Sequence, residues 1–299
     1  MAKKMTISIG VFGYLEVNSI LNVLLAMTGQ RMVERLIVKE IIAVVDADPE
    51  SKKQISALAG INPQIKLNYS PKRVGKSAAI NRYFKEATGD ILVMCDADNI
   101  IDDENLISKL VEPLVKKPNI GVVGGHPVPL KNKKNNLATF AGENLWAIHH
   151  QIAQVDPKIS GNLYAIRSKN KTETPFGIIC DDTYLQYFVE KSGFQKAYQP
   201  AAQVMVKIPD NLFDYARQRI RIYFGYRQLK KILQQSAPST TKVFWTMKMI
   251  FSRARTIREY VFAVLTIFLE GSIRLYSALY PINKKKQINL WPMAKSTKF

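Results

Sequence analysis

Short apolar runs that end in a carboxylate recur along the first half of the chain. Residues 6–12 are β-branched and apolar, and residues 40–45 read EIIAVV and stop at Asp46. Residues 65–69 form a third, shorter run, and Gly89 opens a fourth, Ile91 to Met94, closed by Asp96 and Asp98. Runs this short that are apolar on both faces suit strands buried in a parallel sheet. Between them the spacing turns helical: Ile20, Leu21, Val23, Leu24 and Leu25 share a face, Asp48 and Pro49 open a second helix, and residues 75–87 form a third. The alternation β-α-β-α-β-α-β predicts an α/β domain with a mostly parallel sheet and right-handed crossovers. Further strands are expected at 120–125, at 159–167 with Gly161 at a close backbone approach, and within 194–206. A helix is expected at 183–191, and KNKKNN at 131–136 reads as a polar, mobile loop.

The second half changes character. A long basic helix carries Arg217, Gln218, Arg219, Arg221, Arg227, Lys230 and Lys231, with Gln218 and Arg221 on one face. Residues 236–241 break it and mark a candidate boundary between a catalytic domain, 1–235, and a basic helical region, 236–299. Beyond the break, Trp245, Met247, Ile250 and Phe251 alternate with Lys248, Arg253, Arg255 and Arg258, the pattern of an interfacial amphipathic helix. Residues 260–269 are uncharged, a run shorter than the roughly 20 residues that span a bilayer. Thr266, Glu270, Arg274 and Ser277 make one polar stripe there, in which Glu270 and Arg274 are spaced as an i, i+4 ion pair. Three arrangements remain open for this segment: lying in a membrane, crossing it with paired charges, or packing on the catalytic domain.

Charge sharpens the division. From residue 210 onward there are 17 Lys and Arg against 4 Asp and Glu, which is most of the formal net charge of +19. Such a segment suits an anionic partner, either a membrane surface or nucleic acid, and Lys284, Lys285 and Lys286 add a cluster suited to anionic lipid. With 299 residues, 47% of them hydrophobic, the chain can bury a full core. Two cysteines, Cys95 and Cys180, do not make a disulfide framework and read as small buried apolar residues. His126, His149 and His150 lack zinc-site spacing. The N-terminus resembles a leader, with two lysines before an apolar stretch, but it alternates and runs into Glu16, so it reads as a first strand. VGKS at 74–77 resembles the end of a phosphate-binding P-loop, yet position 70 is Ser where that loop needs Gly. Lys76 at a helix start can still meet a phosphate.

The chemistry gathers at the strand ends. Asp96 and Asp98 suit a hard divalent cation that also carries a diphosphate. Asp181 and Asp182 open a helix; Asp182 is a candidate general base, and either acid also reads as a helix cap.

Taken together, these residues resemble an inverting family 2 glycosyltransferase of GT-A fold. Tyr14, Glu16 and Ile20 fall where that family has its YNE segment, and Asp46-Ala47-Asp48 matches its DGS-type turn. KRVGKSAAIN at 72–81 follows its RGGKAxALN segment, Asp96-Ala97-Asp98 its DxD, and Asp181-Asp182 its ED or DD pair. Gln218-Arg219-Ile220-Arg221 resembles the QRxRW motif of its membrane-linked members. The resemblance covers about residues 6–225. It implies Glu16 and Asp46 at the base and ribose of a nucleotide-sugar donor, Asp96 on the ribose or phosphate side, and Lys76 supporting that pocket. It also implies Mg²⁺ or Mn²⁺ on Asp98, with Asp96 beside it, and Asp182 as the base. Gln218, Arg221, Asp181 and Gly161 are then expected on the diphosphate or acceptor side. Ile222 replaces the motif's Trp, Leu15 stands where Asn is common, and Lys207 stands where many members have His. These departures speak against threading of a polysaccharide and leave the acceptor open among lipid-linked, glycan and protein classes. The implied setting is the cytoplasmic face of a membrane, with no nucleic acid partner. The competing reading is a non-catalytic basic scaffold or nucleic-acid-binding protein on a degenerate transferase core.

Overall fold

The computed structural model describes residues 4–234, 243–279 and 294–298. The boundary expected at 236–241 and the lysine cluster at 284–286 lie outside the described residues. Four parallel strands come first: β1 (Met5–Gly13), β2 (Leu36–Asp46), β3 (Ile65–Ser70) and β4 (Ile91–Asp96). They are joined by α1 (Val17–Thr28), α2 (Pro49–Ile61) and α3 (Lys76–Glu86). The two-residue β5 (Asn99–Ile100), α4 (Leu106–Lys116) and β6 (Ile120–Pro129) follow. Next come α5 (Leu137–Val155), β7 (Leu163–Arg167), α6 (Asp181–Lys191) and β8 (Gln195–Val206). All eight strands join one sheet in the order β3-β2-β1-β4-β7-β6-β8-β5. It is parallel except where β7 runs against β4 and β6, and β5 against β8.

Both faces are covered, which is why the strands read as continuous apolar runs. Ile7, Ile9 and Val11, with Ile41, Val45, Ile91 and Val93, pack against α1 and α4. Ile42, Val44, Leu92 and Met94 pack on the other face against Ile80, Tyr83 and Phe84 of α3 and Leu185 and Val189 of α6. Asp48 caps α2 by accepting from the Ser51 amide at 3.1 Å, with Pro49 in the first turn. Both cysteines are free and buried.

The remaining helices form a third group: α7 (Leu212–Leu233), α8 (Val243–Arg253) and α9 (Ile257–Leu279). Of the three arrangements left open for the last segment, packing on the catalytic domain is observed. α9 lies against α7 and α5, with Ala263, Thr266, Ile273 and Ser277 buried. Its polar stripe therefore faces the protein. The expected Glu270–Arg274 pair is not formed. Glu270 instead accepts from Arg219 Nε at 2.8 Å and from the hydroxyls of Tyr215 and Tyr223, at 2.7 and 2.5 Å. Arg274 donates to Tyr223 Oη at 2.8 Å. A buried guanidinium on α7 outcompetes a neighbour one turn away, because a charge in the interior must be paired where it lies. The opposite stripe of α9, with Ile257, Val261, Val264, Phe268, Leu275 and Leu279, is exposed. Among the described residues α9 is the one helix long and apolar enough to cross a membrane.

Candidate active site

The sheet order places β1 between β2 and β4, so three carboxyl ends lie side by side. Gly13 pairs with Val45 in β2, and Phe12 with Asp96 in β4. Ligand crevices of open α/β sheets form at such ends, where the strand order reverses. A cavity of about 500 Å³ opens there. Glu16, Asp46, Lys76, Asp96, Asp98, Gly161, Asp181, Asp182, Gln218 and Arg221 all line it. The structure therefore brings these ten candidate site residues into one cavity.

Each is held by local geometry. Asp46 is buried and accepts from the amides of Val74 and Gly75, at 2.9 and 3.0 Å, and from Arg82 Nη2 at 2.8 Å. It thus fixes the turn that delivers Lys76. Lys76 Nζ donates to Asp96 Oδ1 at 2.5 Å and to the Gly161 carbonyl at 2.8 Å. Burial would lower the lysine's pKa, but Asp96, Asp181 and Asp182 together raise it, so the ammonium stays charged. Gly161 lies close to both Lys76 and Asp182. A Cβ there would stand 3.0 Å from Lys76 Nζ and 3.8 Å from Asp182 Oδ2. The same measurement places Asp182 next to the Lys76–Asp96 pair.

Asp181 and Asp182 sit in the first turn of α6, and the capping position is Cys180. Asp182 Oδ1 accepts from the Thr183 amide at 2.6 Å. Burial pushes the Asp181 carboxyl up to about 6 against the pull of Lys76, and neighbouring Asp182 adds to the rise. The loop before α6 is anchored on α7. Gln228 accepts from the Ile179 amide at 3.1 Å and donates to the Gly177 carbonyl at 2.8 Å. A Cβ at Gly225 would come within 2.4 Å of Cys180 Sγ, so only glycine lets this loop and α7 meet. On α7, Gln218 and exposed Arg221 face the cavity, while Arg219 is buried and paired with Glu270.

Two backbone positions carry strain at this site. Leu15 has φ +55° and Ala47 φ +47°, in the left-handed region that costs most side chains roughly 1–2 kcal/mol. They stand in the turns that present Glu16 and Asp46, at the positions where the family resemblance has Asn and Gly, the residues that tolerate this backbone.

The cavity also contains residues that no local signal marked. Trp146 and His149 come from α5, Lys158 from the loop after it, and Arg73 stands over the Tyr14 ring at 4.2 Å. Lys298, near the C-terminus, donates to Asp98 Oδ2 at 2.9 Å and pairs with Glu16 Oε1. Among the described residues no three His, Cys, Asp or Glu side chains are gathered closely enough to hold an ion unaided. The Asp98 carboxylate does hold a cationic group, so it fits a divalent ion that takes most of its ligands from a diphosphate.

A cavity with carboxylates at the carboxyl ends of a mostly parallel, partly antiparallel sheet is the architecture of GT-A nucleotide-sugar transferases. A mannosyltransferase from Pyrobaculum calidifontis, solved in complex with GDP-Man and Mn²⁺, superposes with a TM-score of 0.60. The match covers 94% of this chain and 77% of that one at 17% identity. Mannosyl-3-phosphoglycerate synthase from Rubrobacter xylanophilus superposes at 0.55, covering 79% and 78% at 15% identity. Residues 8–161, just over half of the chain, match the family model described as Glycosyl transferase family 2, and the chain belongs to that family. Its curated relatives include the poly-β-1,6-N-acetyl-D-glucosamine synthase of Staphylococcus epidermidis, 23% identical over 192 residues, which are 61% of this chain and 46% of that protein. An N-acetylglucosaminyltransferase of Azorhizobium caulinodans is 25% identical over 169 residues, 49% of this chain and 41% of that one. The matched region thus spans less than half the length of these relatives.

Proposed function

We propose that the protein is a metal-dependent, inverting glycosyltransferase that moves a sugar from a nucleoside-diphosphate donor to an acceptor hydroxyl. The observation that carries this reading is the lining of one cavity by Glu16, Asp46, Asp96, Asp98 and Asp182, from four separate segments. In it, Glu16 and Asp46 frame the nucleoside side, and Lys76 holds Asp96 against the Gly161 loop. Asp98, with Asp96 beside it, would hold Mg²⁺ or Mn²⁺, and the ion would neutralise the diphosphate of the leaving group. Asp182 takes the proton of the acceptor hydroxyl as its oxygen bonds to the anomeric carbon; the bond from that carbon to the diphosphate breaks, and configuration inverts. Gln218, Arg221, Gly161 and Asp181 border the diphosphate and acceptor side.

In this reading the acceptor lies at a membrane. Exposed Lys248, Arg253, Arg255 and Arg258 stand on α8, on the turn after it and at the start of α9, close in sequence to the exposed apolar stripe of α9. An apolar face edged by basic residues suits an anionic lipid surface, as on the cytoplasmic leaflet, and a peripheral attachment near a lipid-linked or glycan acceptor. Calorimetric titration with UDP and GDP in the presence of Mn²⁺ tests the donor half of the proposal. Binding by the wild type that is lost in Asp98→Asn supports it. Equal binding by both proteins, or none by the wild type, refutes it.

A further inference from the structure

The chain reaches back into its own donor cavity. Ala294, Thr297 and Lys298 line it, although Lys298 lies 200 residues beyond Asp98 in sequence. The ammonium of Lys298 sits between Asp98 and Glu16. The contact is not a lone surface lysine, because the backbone around it is fastened separately. The Lys298 carbonyl accepts from Lys207 Nζ at 2.7 Å, and the Ser296 amide donates to Asp214 Oδ2 at 2.8 Å. The turn itself is closed by Thr297 N–H to the Ala294 carbonyl at 3.2 Å, and Thr297 is buried.

We propose that residues 294–298 form a strap that competes with the donor, with the Lys298 ammonium holding the position of the donor's divalent cation in the free enzyme. This inference rests on the donor reading above. Asp98 cannot bind a divalent ion closely while the partly buried Lys298 ammonium occupies the same carboxylate, since the two cations repel at contact distance. Metal-bound nucleotide therefore enters only as Lys298 leaves, and the strap sets what fraction of the enzyme is ready to bind. In exchange, Asp98 and Glu16 are kept paired when no donor is present, which avoids two uncompensated carboxylates in one partly buried site.

The test measures nucleotide binding, not turnover, in the full-length chain. UDP and GDP are titrated with Mn²⁺ into the wild type, Lys298→Ala and Ser296→Pro; the last removes the amide bonded to Asp214 and leaves Lys298 in place. If the strap is closed about nine-tenths of the time, Kd tightens about tenfold in Lys298→Ala, with a smaller change in the same direction for Ser296→Pro. By hydrogen exchange, the Ser296 amide loses protection when nucleotide and Mn²⁺ are added to the wild type. Unchanged or weaker binding in Lys298→Ala, or a Ser296 amide that stays protected in the complex, overturns the strap while leaving the donor reading intact. Binding of neither nucleotide by any of the three proteins overturns the donor reading and the strap with it.

Discussion

Replacing Glu270 with Gln isolates the contact that docks α9 on the transferase domain. The change keeps shape and removes charge, leaving Arg219, whose side chain is 10% exposed, without its counter-ion. Two estimates of the cost agree. Burial works against the Glu270 carboxylate, but Arg219 and the Tyr215 and Tyr223 hydroxyls hold its pKa at about 2 instead of 4.5; at 1.36 kcal/mol per unit this is about 3 kcal/mol. Breaking a buried ion pair by removing one partner costs about 3–5 kcal/mol. In a chain of this size, about 3 kcal/mol lowers Tm by roughly 6 °C. The assay is urea unfolding at pH 7 and at descending pH. A lowered carboxylate contributes its stability above the unfolded pKa and loses it as pH falls through the folded one. The gap between wild type and variant should therefore be full above about 4.5 and close toward about 2. The double replacement Arg219→Met with Glu270→Leu should recover most of the loss, since an apolar pair leaves no charge stranded. A loss below about 1 kcal/mol at pH 7, or a double variant as unstable as the single one, would refute this account of the docking.

Three further outcomes are expected. Asp181→Asn should stabilise the fold at pH 7 by about 3 kcal/mol, because burial raises this carboxyl to about 6 and the native state holds its charged form at a cost. That gain should vanish as pH falls from about 6 to about 4, where the wild type is relieved by protonation; a gain that persists at pH 4 contradicts the assignment. Ala47→Gly should raise the unfolding free energy by about 0.5–1 kcal/mol, read as a higher urea midpoint at constant m, the relief of φ +47° less the entropy glycine adds to the unfolded chain; a lower midpoint would show the turn is not strained. Phe268→Asp, at a side chain 77% exposed, should reduce co-sedimentation with phosphatidylserine vesicles at least tenfold without shifting Tm, and undiminished binding would remove α9 from the membrane surface.

Much of the first half of the fold was legible because a parallel sheet covered on both faces writes its strands as apolar runs. The runs ending at Asp46 and Asp96 became β2 and β4, and their carboxylates meet because β1 lies between them. α5 was not foreseen. Its buried positions are shared between the sheet, α7 and α9, so no single helical stripe stands out, and Gly142 and Asn144 lie among them. The strand expected from residue 159 begins at Leu163, because the loop carrying Gly161 leaves the ladder to meet Lys76. Glu270 was paired with the wrong arginine because spacing along one helix says nothing of a cation on another. Leu15 and Ala47 gave no sign of positive φ, since neither side chain favours it. Lys298 was invisible for a plainer reason: a lone lysine 200 residues from its partner has no local signature.

On the proposed mechanism, Asp182 handles a proton in the cavity where Asp98 helps hold the donor. Asp182→Asn tests it when nucleotide binding with Mn²⁺ and turnover of the same nucleotide sugar are measured on one preparation. The expected result is binding within about twofold of wild type and turnover reduced by roughly 10²–10⁴-fold, the usual share of a positioned general base. Wild-type turnover in that variant would contradict the claim.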